Sequence, residues 1–380
     1  MEKVVIGMIG SGFASSFHIK NFKKVYGVDI AFKTVASLDD NLEDFAKKSG
    51  FSSWTQDYTD ILRDPEINVV DIVTPPSLHA EMIIAALNAR KHVITEKPLT
   101  GYFGEKTDGK TMYDVTETEI ARIEAAEKAS GKYLMYAENW VYSPGVQKSA
   151  ELLRAQKGKI LYLHAEESHN GSHAHHAANW KFNGGGSLTR QGCHPIAAVL
   201  YLKMLEAEIR GEKIGIKSVT CDVGFAAECL RDNEKAYIDA RPVDVEDIAD
   251  IIITFTDGTK AHVVSADMLL GGMKNCVDVY LNNGVHRFKM NPNDAFAAYH
   301  PSADGLEDVY FQEKLGVKSG WQYVALEDDI MRGYLGEFQD FAECVAYNRV
   351  PLAGFQLAAD TMRIIYAGYR SALEGKRIDF

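Results

Sequence analysis

Residues 4–15 read VVIGMIGSGFAS, an apolar run that leads into a glycine-rich turn. Such a run is typical of a strand buried in a parallel sheet, because helices cover both faces of that kind of sheet. In the turn, Gly10 permits a tight bend, Gly12 lets the backbone approach a pyrophosphate, and the small Ser15 allows close helix packing. A helix that begins near Ala14 would direct free N–H groups at the same place. The stretch therefore predicts a dinucleotide-binding turn at the start of an α/β fold.

The rest of the first 138 residues alternates strand-like and helix-like patterns. This alternation is typical of right-handed βαβ units and predicts an α/β fold with a doubly wound parallel sheet. Residues 102–114 interrupt it and are predicted to form a loop, after which Thr116 and Glu119 match a capping box for a helix. The predicted strands cover residues 3–9, 32–36, 68–74, 92–95 and 132–137, and the predicted helices cover residues 14–25 and 79–90.

A different pattern begins after Glu138. Strand-like segments follow one another without intervening helices, and the pairs at 257–258 (Asp-Gly) and 283–284 (Asn-Gly) are typical of hairpin turns. We therefore predict a first domain over residues 1–138 and an α+β domain, with a mostly antiparallel sheet, over residues 139–380. The predicted segments are strands at 159–168, 217–226, 247–255, 260–265 and 275–281, and amphipathic helices at 328–348 and 356–374.

The composition excludes several classes of protein. Among the 380 residues, 41 are basic and 53 are acidic, which gives a net charge of −12. This balance argues against nucleic acid as a partner, because phosphate binding needs clustered Lys and Arg. The five cysteines lack the CxxC spacing of a thiolate zinc site, and no apolar stretch approaches the roughly 20 residues that span a bilayer. We expect no membrane partner, no metal and a cytoplasmic location.

Residues 36–40 read ASLDD and bear on the choice of cofactor. They lie about 20 positions past the glycine turn, where the ribose of a dinucleotide is usually contacted. Ser37 can hydrogen-bond a ribose hydroxyl or a phosphate. Asp39 and Asp40 would repel a 2′-phosphate, and no Lys or Arg follows Ser37 to attract one. The pattern favours NAD over NADP without excluding NADP.

Two further segments end predicted strands at the edge where open α/β sheets bind ligands. They are TPPSLH, residues 74–79, and TEKPL, residues 95–99. Glu96 and Lys97 directly follow an apolar strand, and Pro98 fixes the backbone after them. These observations favour a place in a binding site over the ordinary alternative, a solvated pair of surface charges.

Together with a third glycine-rich segment, these sequences resemble the Gfo/Idh/MocA family of oxidoreductases. The family's signature blocks are matched in order by GMIGSGFASSFH, TPPSLHAEMIIAALNARKHVITEKPL and GGGSLTRQGCHPIAAVLYL, and residues 338–378 resemble its C-terminal helices. The resemblance covers nearly the whole chain. It implies an N-terminal Rossmann domain and a C-terminal α+β domain with a large open sheet, whose last helices pack back towards the first domain.

The resemblance also implies an activity, partners and a set of site residues. The implied activity is the NAD(P)-dependent oxidation or reduction of one hydroxyl of a sugar, a sugar acid or a cyclic polyol, by a homo-oligomer (dimer or tetramer). Lys97 and His194 are the implied acid/base residues. The substrate is expected to contact both of them together with Trp180 and Arg190. The implied cofactor-binding residues are Gly10, Gly12, Phe13, Ala14, Ser15, Ser37, Thr74, Pro75, Pro76, His79, Glu96, Lys97 and Asn139.

Proton transfer gives Lys97 and His194 their expected roles. Hydride removal from a carbinol carbon requires that the hydroxyl also lose its proton, so an acid/base group must lie nearby. A free Lys, with a pKa of ~10.4, is too protonated to accept a proton at neutral pH. Burial and the positive charge of the oxidised nicotinamide ring are therefore expected to lower the pKa of Lys97.

Arg190 departs from the family block, which has Asp at this position, four residues before His194. The usual carboxylate–histidine pair is therefore expected to be missing. An Arg in a cleft requires an anionic partner, and two alternatives remain open. The partner is a protein carboxylate, such as Glu138 or Glu166, or it is an acidic sugar that Arg190 binds in bidentate fashion.

A second departure is a histidine-rich segment that ends at Trp180. Dense histidines can bind a metal, but this spacing matches no common site. The alternative is a polar loop that lines the sugar pocket, with Trp180 as an apolar platform. The histidines are His164, His169, His173, His175 and His176.

Two other functions remain open beside the dehydrogenase. One is a hydrolase or lyase of glycosides that retains NAD and uses transient oxidation, so that a leaving group departs without net redox change. The missing carboxylate partner of His194 keeps this possibility open. The other is a non-catalytic sensor of a sugar or a dinucleotide, against which the presence of Lys97 and His194 argues.

Overall fold

The computed structural model describes residues 3–172, 175–231, 234, 237–291, 296–309, 311, 317–323 and 327–380. The first sheet is built from β1 (Val4–Ile9), β2 (Ile30–Ala36), β3 (Ser53–Thr55), β4 (Val69–Ile72), β5 (His92–Thr95) and β6 (Leu134–Tyr136). Its strands are parallel and lie in the order β3-β2-β1-β4-β5-β6. The strand order reverses between β1 and β4, and at such a switch point an open α/β sheet binds its ligand.

Helices connect these strands as a doubly wound fold requires. They are α1 (Phe13–Phe22), α2 (Leu42–Ser49), α3 (Thr59–Arg63), α4 (His79–Asn88) and α5 (Gly109–Ser130). The fold class predicted from the sequence is confirmed, and the predicted strands and helices lie within a few residues of those observed. The short elements β3, α2 and α3 were not predicted.

The start of α5 corrects the prediction for residues 102–116. The helix begins at Gly109, where the Asp108 carboxylate accepts a hydrogen bond from the backbone N–H of Thr111 at 2.9 Å and caps the helix. Thr116 lies inside α5, and its hydroxyl bonds back to the preceding turn. The Thr116–Glu119 pattern is not a helix start, because Asp108, an equally good N-cap residue, precedes it.

The second sheet contains seven strands of the described chain: β7 (Ile160–Ser168), β8 (Ile216–Gly224), β9 (Ile248–Phe255), β10 (Lys260–Ala266), β11 (Lys274–Leu281), β12 (Gly284–Lys289) and, at one edge, β15 (Ile378–Asp379). Two further strands, β13 (Ala297–His300) and β14 (Gly320–Tyr323), pair only with each other within the described residues. The strand order is β12-β11-β7-β10-β9-β8-β15. Neighbouring strands of this sheet are antiparallel, except that β7 and β10 are parallel to each other. The predicted mostly antiparallel sheet is confirmed.

The helices of this half are α6 (Asn139–Tyr142), α7 (Pro144–Gln156), α8 (Trp180–Asn183), α9 (Ser187–Arg190), α10 (Cys193–Arg210), α11 (Asp328–Met331), α12 (Tyr334–Tyr347) and α13 (Phe355–Glu374). Two predictions are wrong here. The strands β7 and β8 are separated by α8, α9 and α10. The helix predicted over 328–348 is divided at Gly333, whose φ of +94° no helical residue adopts.

The last helices lie against the first sheet's helical layer. Phe338 in α12 packs edge to face on Phe22 in α1, with ring centroids 4.6 Å apart, and the Tyr366 hydroxyl in α13 accepts a hydrogen bond from the Tyr102 N–H at 2.6 Å. One continuous cluster of buried apolar side chains extends from β1 through α13 into the second sheet. The two sheets therefore share a core. No helix in the described part of the chain is long and apolar enough to cross a bilayer.

Candidate active site

The glycine turn between β1 and α1 has the geometry of a phosphate-binding turn. Gly10 has a φ of +114°, and a Cβ there would lie 2.6 Å from the Val73 carbonyl oxygen, so only Gly fits. A Cβ at Gly12 would meet no heavy atom within 4 Å, so the backbone is open to a ligand. The first turn of α1 has no acidic residue, and no described side chain caps it. Its N–H groups and partial positive charge fit the pyrophosphate of a dinucleotide.

The first residues of α1 differ in their surroundings. Phe13 is 84% exposed beside the open backbone of Gly12, whereas Ser15 is fully buried. Ala14 packs against the small apolar cluster under the turn. Ser15 therefore packs α1 against the sheet, as the third small residue of such a turn does, and its side chain is not accessible to a cofactor.

The end of β2 carries a small network of polar side chains. The hydroxyls of Ser11 and Ser37 lie 2.8 Å apart, and both contact the Asp39 carboxylate, Ser37 at 3.0 Å. The carboxylate is exposed at the place where a dinucleotide's ribose is usually held. Asp39 thus joins Ser37 as a group able to bind ribose hydroxyls, a role that sequence reasoning did not give it.

Glu96 is fixed by a buried chain of polar groups that sequence reasoning missed. Nδ1 of His18 lies 3.0 Å from a carboxylate oxygen of Asp71, and its Nε2 lies 3.2 Å from the Glu96 carboxylate. Burial works against the charged histidine, but the two carboxylates outweigh it and raise the pKa of His18 to about 10. The partnership with His18 lowers the pKa of Glu96 to about 2, against the effect of burial. The sequence feature that indicated this buried chain was Asp71, a charged residue inside an apolar strand.

His79 supports the loop after β4 from beneath. Its ring is fully buried, and its nitrogens lie 2.7 Å from the Pro98 carbonyl and 2.9 Å from the Thr74 carbonyl. Burial lowers the pKa of His79. Because both ring nitrogens contact the backbone, His79 holds the two ligand-binding loops together and does not reach the cofactor with its ring. The short 3₁₀ turn next to it is Pro76–Leu78, with Pro75 as the N-cap residue.

Lys97 connects the edge of the first sheet to the turn before α10. Its Nζ donates a hydrogen bond to the Arg190 carbonyl oxygen at 2.8 Å. Burial alone would lower the pKa of Lys97, but the neighbouring acidic groups outweigh it, so the pKa is raised. The expectation of a lowered pKa is therefore wrong for the protein by itself, because acidic groups from remote parts of the chain join the adjacent Glu96 around Lys97. The acidic groups are Cys193, Glu96, Glu167 and Glu138.

His194 lies in the first turn of α10 with a carboxylate partner. Its Nδ1 lies 2.7 Å from Oε1 of Glu138, and its ring stacks on Trp140 with centroids 6.1 Å apart. Glu138 is fully buried, and its other oxygen, Oε2, has no partner among the described residues. The expectation that His194 lacks a carboxylate partner is wrong, because Glu138 comes from a different element, the end of the strand segment before α6.

The comparison with known proteins agrees with this arrangement. The oxidoreductase family GFO/IDH/MocA, with its NAD-binding Rossmann fold, matches residues 4–125, and the GFO/IDH/MocA C-terminal domain matches residues 146–287. The chain belongs to the Gfo/Idh/MocA oxidoreductase family. It is an NAD-dependent enzyme, and the glycine turn described above fits that cofactor.

Individual relatives cover most or part of the chain. Levoglucosan dehydrogenase of Pseudarthrobacter phenanthrenivorans is 28% identical over 340 residues, which cover 82% of this chain and 80% of the relative. The scyllo-inositol 2-dehydrogenase (NAD(+)) of Bacillus subtilis is 35% identical over 100 residues, 26% of this chain and 29% of that protein.

Solved structures share the fold over the whole chain. GenD2 from gentamicin A biosynthesis, in complex with NAD, has a TM-score of 0.78 at 21% identity and covers 100% of this chain and 97% of its own. Levoglucosan dehydrogenase, in complex with NADH and levoglucosan, has a TM-score of 0.73 at 21% identity, with coverages of 100% and 99%. At these identities the likeness concerns the fold.

Arg190, the departure from the family block, is paired within the protein. Its guanidinium contacts the Asp267 carboxylate, which is 1% exposed and also contacts the Gln191 amide. The two partners proposed from the sequence are wrong. Glu138 bonds to His194, and Glu166 lies 2.5 Å from the Lys274 ammonium. Asp267 follows β10, far from Arg190 in the chain, so no local pattern indicated it.

The family's glycine-rich segment before His194 is held by a second buried carboxylate. Both oxygens of Glu246 lie 3.0 Å from the Gly186 N–H, and one accepts a hydrogen bond from the Leu188 N–H at 2.9 Å. A Cβ at Gly186 would lie 1.9 Å from the Glu246 carbonyl oxygen. The Tyr369 hydroxyl donates to the same carboxylate at 2.8 Å. This turn places α9, and with it the Arg190 carbonyl that Lys97 contacts.

Two of the predicted site residues are buried and bonded to backbone carbonyls of the protein. The Asn139 side chain is 3% exposed, and its amide donates to the Arg332 carbonyl at 2.7 Å, so it ties α6 to the segment before α12. Trp180 is also 3% exposed, and its Nε1 donates to the Tyr102 carbonyl at 2.9 Å. Its ring packs on Tyr369, with centroids 4.9 Å apart. Trp180 therefore anchors the loop that begins at residue 102 and is not a platform exposed to a sugar.

One cluster of side chains carries donor atoms of the kind that bind a metal, but its chemistry favours proton transfer over metal binding. Glu138, Cys193 and His194 bring one donor atom each to within 4.8 Å of one another. Burial raises the pKa of Cys193 well above its usual range, whereas a metal needs the thiolate. The ammonium of Lys97 beside these groups also opposes a cation.

The histidine-rich segment does not converge on a site among the described residues. His164 lies on the outer face of β7 with its ring 5.4 Å from that of His262, while His169 is buried against Gln191. His173, together with the side chains of residues 175 and 176, lies outside the described part of the chain.

Proposed function

We propose that the chain is an NAD-dependent dehydrogenase that oxidises one hydroxyl group of a sugar or cyclic polyol. The observation that carries the proposal is the arrangement of Lys97 and the Glu138–His194 pair: Lys97 follows β5, Glu138 follows β6, and Lys97 is bonded to the turn that leads into His194. A buried ammonium and an oriented imidazole are the two groups that removal of hydride and proton from a carbinol requires. The names of the levoglucosan and inositol dehydrogenases that resemble this chain support the substrate class.

His194 is the proton acceptor in this proposal. The Glu138 carboxylate accepts a hydrogen bond from Nδ1, which fixes the neutral tautomer whose Nε2 carries a lone pair. Stacking on Trp140 holds the ring plane. Glu138 also stabilises the imidazolium that forms when Nε2 takes the substrate proton, as the carboxylate of a catalytic triad does.

Lys97 contributes its positive charge. Because acidic neighbours raise its pKa, it stays an ammonium and donates a hydrogen bond to the substrate oxygen as negative charge develops there. NAD supplies the hydride acceptor when it is bound at the glycine turn. The bond of Nζ to the Arg190 carbonyl keeps the ammonium at the junction between the two sheets.

The alternatives drawn from the sequence lose their main support. The NAD-retaining hydrolase rested on a His194 without a carboxylate, and Glu138 supplies one. The preference for acidic sugars rested on an unpaired Arg190, and Asp267 pairs with it. We therefore propose a neutral polyhydroxylated substrate.

Steady-state reduction of NAD, followed at 340 nm with levoglucosan, myo-inositol, scyllo-inositol and a set of hexoses, tests the proposal. Lys97→Ala and His194→Ala should each lower kcat/KM by ~10²–10⁴ while NAD affinity, measured by titration, is retained. Lys110→Ala, at an exposed lysine of α5, is the control and should match the wild type. Absence of turnover with every compound, or a tenth of wild-type activity in either variant, would overturn the proposal.

A further inference from the structure

Glu337 is a buried carboxyl group that the proposed chemistry does not use. It lies in the first turn of α12 and is 2% exposed. Its Oε1 has no hydrogen-bond partner among the described residues. Burying a charge without a partner is costly, so a carboxyl group in such a place is favoured in its neutral form. The surroundings of Glu337 therefore favour a proton held inside the protein.

The packing of α12 places Glu337 between α1 and α6. On one side, the ring of the next residue, Phe338, lies 4.7 Å from the ring of His18 in α1. On the other side, a Cβ added at Gly333 would collide with the Asn139 carbonyl oxygen at the start of α6. The Glu337 N–H bonds to the Gly333 carbonyl at 3.0 Å, so these two residues lie one above the other on the same face of the helix.

This position brings Glu337 close to two systems of polar groups. Burial raises its pKa well above the usual range for a carboxyl group, three carboxylates add to the rise, and one cationic histidine opposes it. These facing groups are His18 on α1, Glu96 after β5, Glu138 after β6 and Asp71 on β4. The charge of Glu337 therefore acts both on the chain that fixes Glu96 and on the partner of His194.

Other charged groups around α12 are paired with one another. These pairs are Asp328 with Arg332, Asp329 with Lys20 and Lys24, Asp340 with Arg349 and the Tyr142 hydroxyl, and Glu343 with Arg349. They leave the four facing groups as the ones that set the charge of Glu337.

The two forms of the cofactor differ in charge at the place where hydride is transferred. The nicotinamide ring is cationic in NAD⁺ and neutral in NADH. In the proposed function the reacting carbon lies beside His194, whose Nδ1 is 2.7 Å from Glu138. Hydride transfer requires the ring and the reacting carbon to lie about 3–3.5 Å apart. The cationic ring therefore binds near Glu138, one of the groups that face Glu337, and a nearby cation favours the ionised form of a carboxyl group.

We propose that Glu337 holds a proton in the free enzyme and releases it when NAD⁺ binds, whereas NADH binding leaves the proton in place. The O–H bond of the carboxyl group breaks, the proton passes to the buffer, and the resulting carboxylate balances the charge of the ring. Glu337 thus selects the oxidised cofactor more strongly as pH rises. This inference rests on the proposed function for the place of the ring and adds a residue that sets the preference between the two cofactor forms.

Proton release on binding is the direct test. Calorimetric titration at neutral pH in two buffers of different ionisation enthalpy counts the protons released. The wild type should release up to about one proton per NAD⁺ and none with NADH. Glu337→Gln has nearly the shape of the neutral acid but cannot ionise, so it should lose this release. Glu343→Gln is the matched control, because Glu343 lies on the same helix and pairs with Arg349, and it should behave as the wild type.

The pH dependence of cofactor affinity gives a second readout. A ligand that displaces one proton binds up to about tenfold more tightly for each unit of pH, until the free enzyme itself has lost the proton. Fluorescence titration between about pH 5 and pH 9 should show this slope for NAD⁺ and not for NADH in the wild type. The slope should be lost in Glu337→Gln. A purely structural role of Glu337 would instead weaken both cofactors at every pH.

Both experiments measure binding without turnover, so they separate this inference from the proposed function. Release that depends on Glu337 in an enzyme that oxidises none of the compounds would defeat only the proposed function. Equal release by the wild type and Glu337→Gln would assign the proton to another group and overturn the inference. The wild type alone can also overturn it, through absence of release with NAD⁺ or equal release with NADH, whether or not the variant folds.

Discussion

Two glycine-rich turns approach the candidate site, and they differ in how closely the rest of the protein packs against them. In the first turn, Gly10 is required by its positive φ and by the carbonyl of Val73, and Gly12 faces open space. In the second, Gly185 also has a positive φ, +151°, and side chains and backbone of other elements press against both Gly185 and Gly186. The first turn is shaped to admit a cofactor, whereas the second is shaped by the protein that packs around it.

The partners of the second turn show what that packing achieves. A Cβ at Gly185 would lie 2.0 Å from the Tyr369 hydroxyl, and Gly186 lies against Glu246. Burial raises the pKa of Glu246, although its bonds to Tyr369 and to backbone N–H groups and the charge of Arg190 oppose this. The turn is therefore a fixed part of the core that carries Arg190 and His194 at its end.

Gly186→Ala should have the largest effect. The added Cβ would lie 1.9 Å from the Glu246 carbonyl oxygen, and neither backbone can move without breaking the bonds that hold α9. We expect loss of the folded protein, or a fall of more than 10 °C in Tm by calorimetry, since overpacking against backbone exceeds the ~1–3 kcal/mol of ordinary overpacking.

Gly215→Ala provides the control for that change. Its nearest contact would be 3.9 Å away, so its Tm should be close to that of the wild type. A stable Gly186→Ala enzyme with normal kcat would show that the second turn can adjust, and the contrast between the turns would disappear.

The same contrast explains what the sequence predicts and what it does not. The strand, turn and helix at residues 4–22 are local, so their apolar run and glycines suffice to predict the fold and the cofactor. The partners of His18, Arg190 and His194 come from strands that are remote in the chain. Asp71, Asp267 and Glu138 therefore emerged only from the fold.

The side-chain environments that sequence reasoning did not foresee have the same physical origin. Trp180 and Asn139 carry groups that suit a ligand, but backbone carbonyls at Tyr102 and Arg332 take their hydrogen bonds. The pKa of Lys97 was expected to fall through burial and the charge of the oxidised nicotinamide ring, because all of its acidic neighbours except Glu96 are remote in the chain. Residue type predicts what a side chain can do, and only tertiary contacts decide which partner it has.

Gly12→Ala should separate cofactor binding from stability. Because a Cβ there meets no protein atom within 4 Å, Tm should change little, but the methyl group would enter the space needed by the pyrophosphate. We expect NAD affinity, measured by fluorescence titration, to fall by about 10- to 100-fold, or ~1.4–2.7 kcal/mol.

Gly284→Ala is the matched control for Gly12→Ala, because its Cβ also meets nothing and it lies in the hairpin between β11 and β12. Unchanged NAD affinity in Gly12→Ala would contradict the assignment of the first turn to the pyrophosphate. A large fall in the Tm of Gly12→Ala would instead show that the first turn is packed as tightly as the second.

Asp39→Asn should reduce the preference for NAD over NADP. The Asp39 carboxylate, fixed by Ser37 at the end of β2, repels a 2′-phosphate and accepts from the ribose hydroxyls of NAD. We expect the wild type to favour NAD by about 10-fold in Kd or more, and the variant to lose most of that difference. Asp29→Asn, before the other end of β2, should leave the ratio unchanged. Equal binding of both cofactors to the wild type would contradict this role.

The effect of His18→Gln on stability is informative through its pH dependence. His18 lies in α1, directly after the first turn, and Asp71 and Glu96 raise its pKa from 6.5 to about 10. A group whose pKa is raised by folding stabilises the protein fully below its unfolded pKa, and this contribution is lost as pH rises through the folded pKa. The difference in unfolding free energy between wild type and variant should therefore be largest below pH 6.5 and should shrink towards pH 10. Urea unfolding across this range measures it, with His300→Gln on β13 as the control. A difference that stays constant with pH would mean that His18 acts through packing against Phe338, 4.7 Å away, and not through its charge.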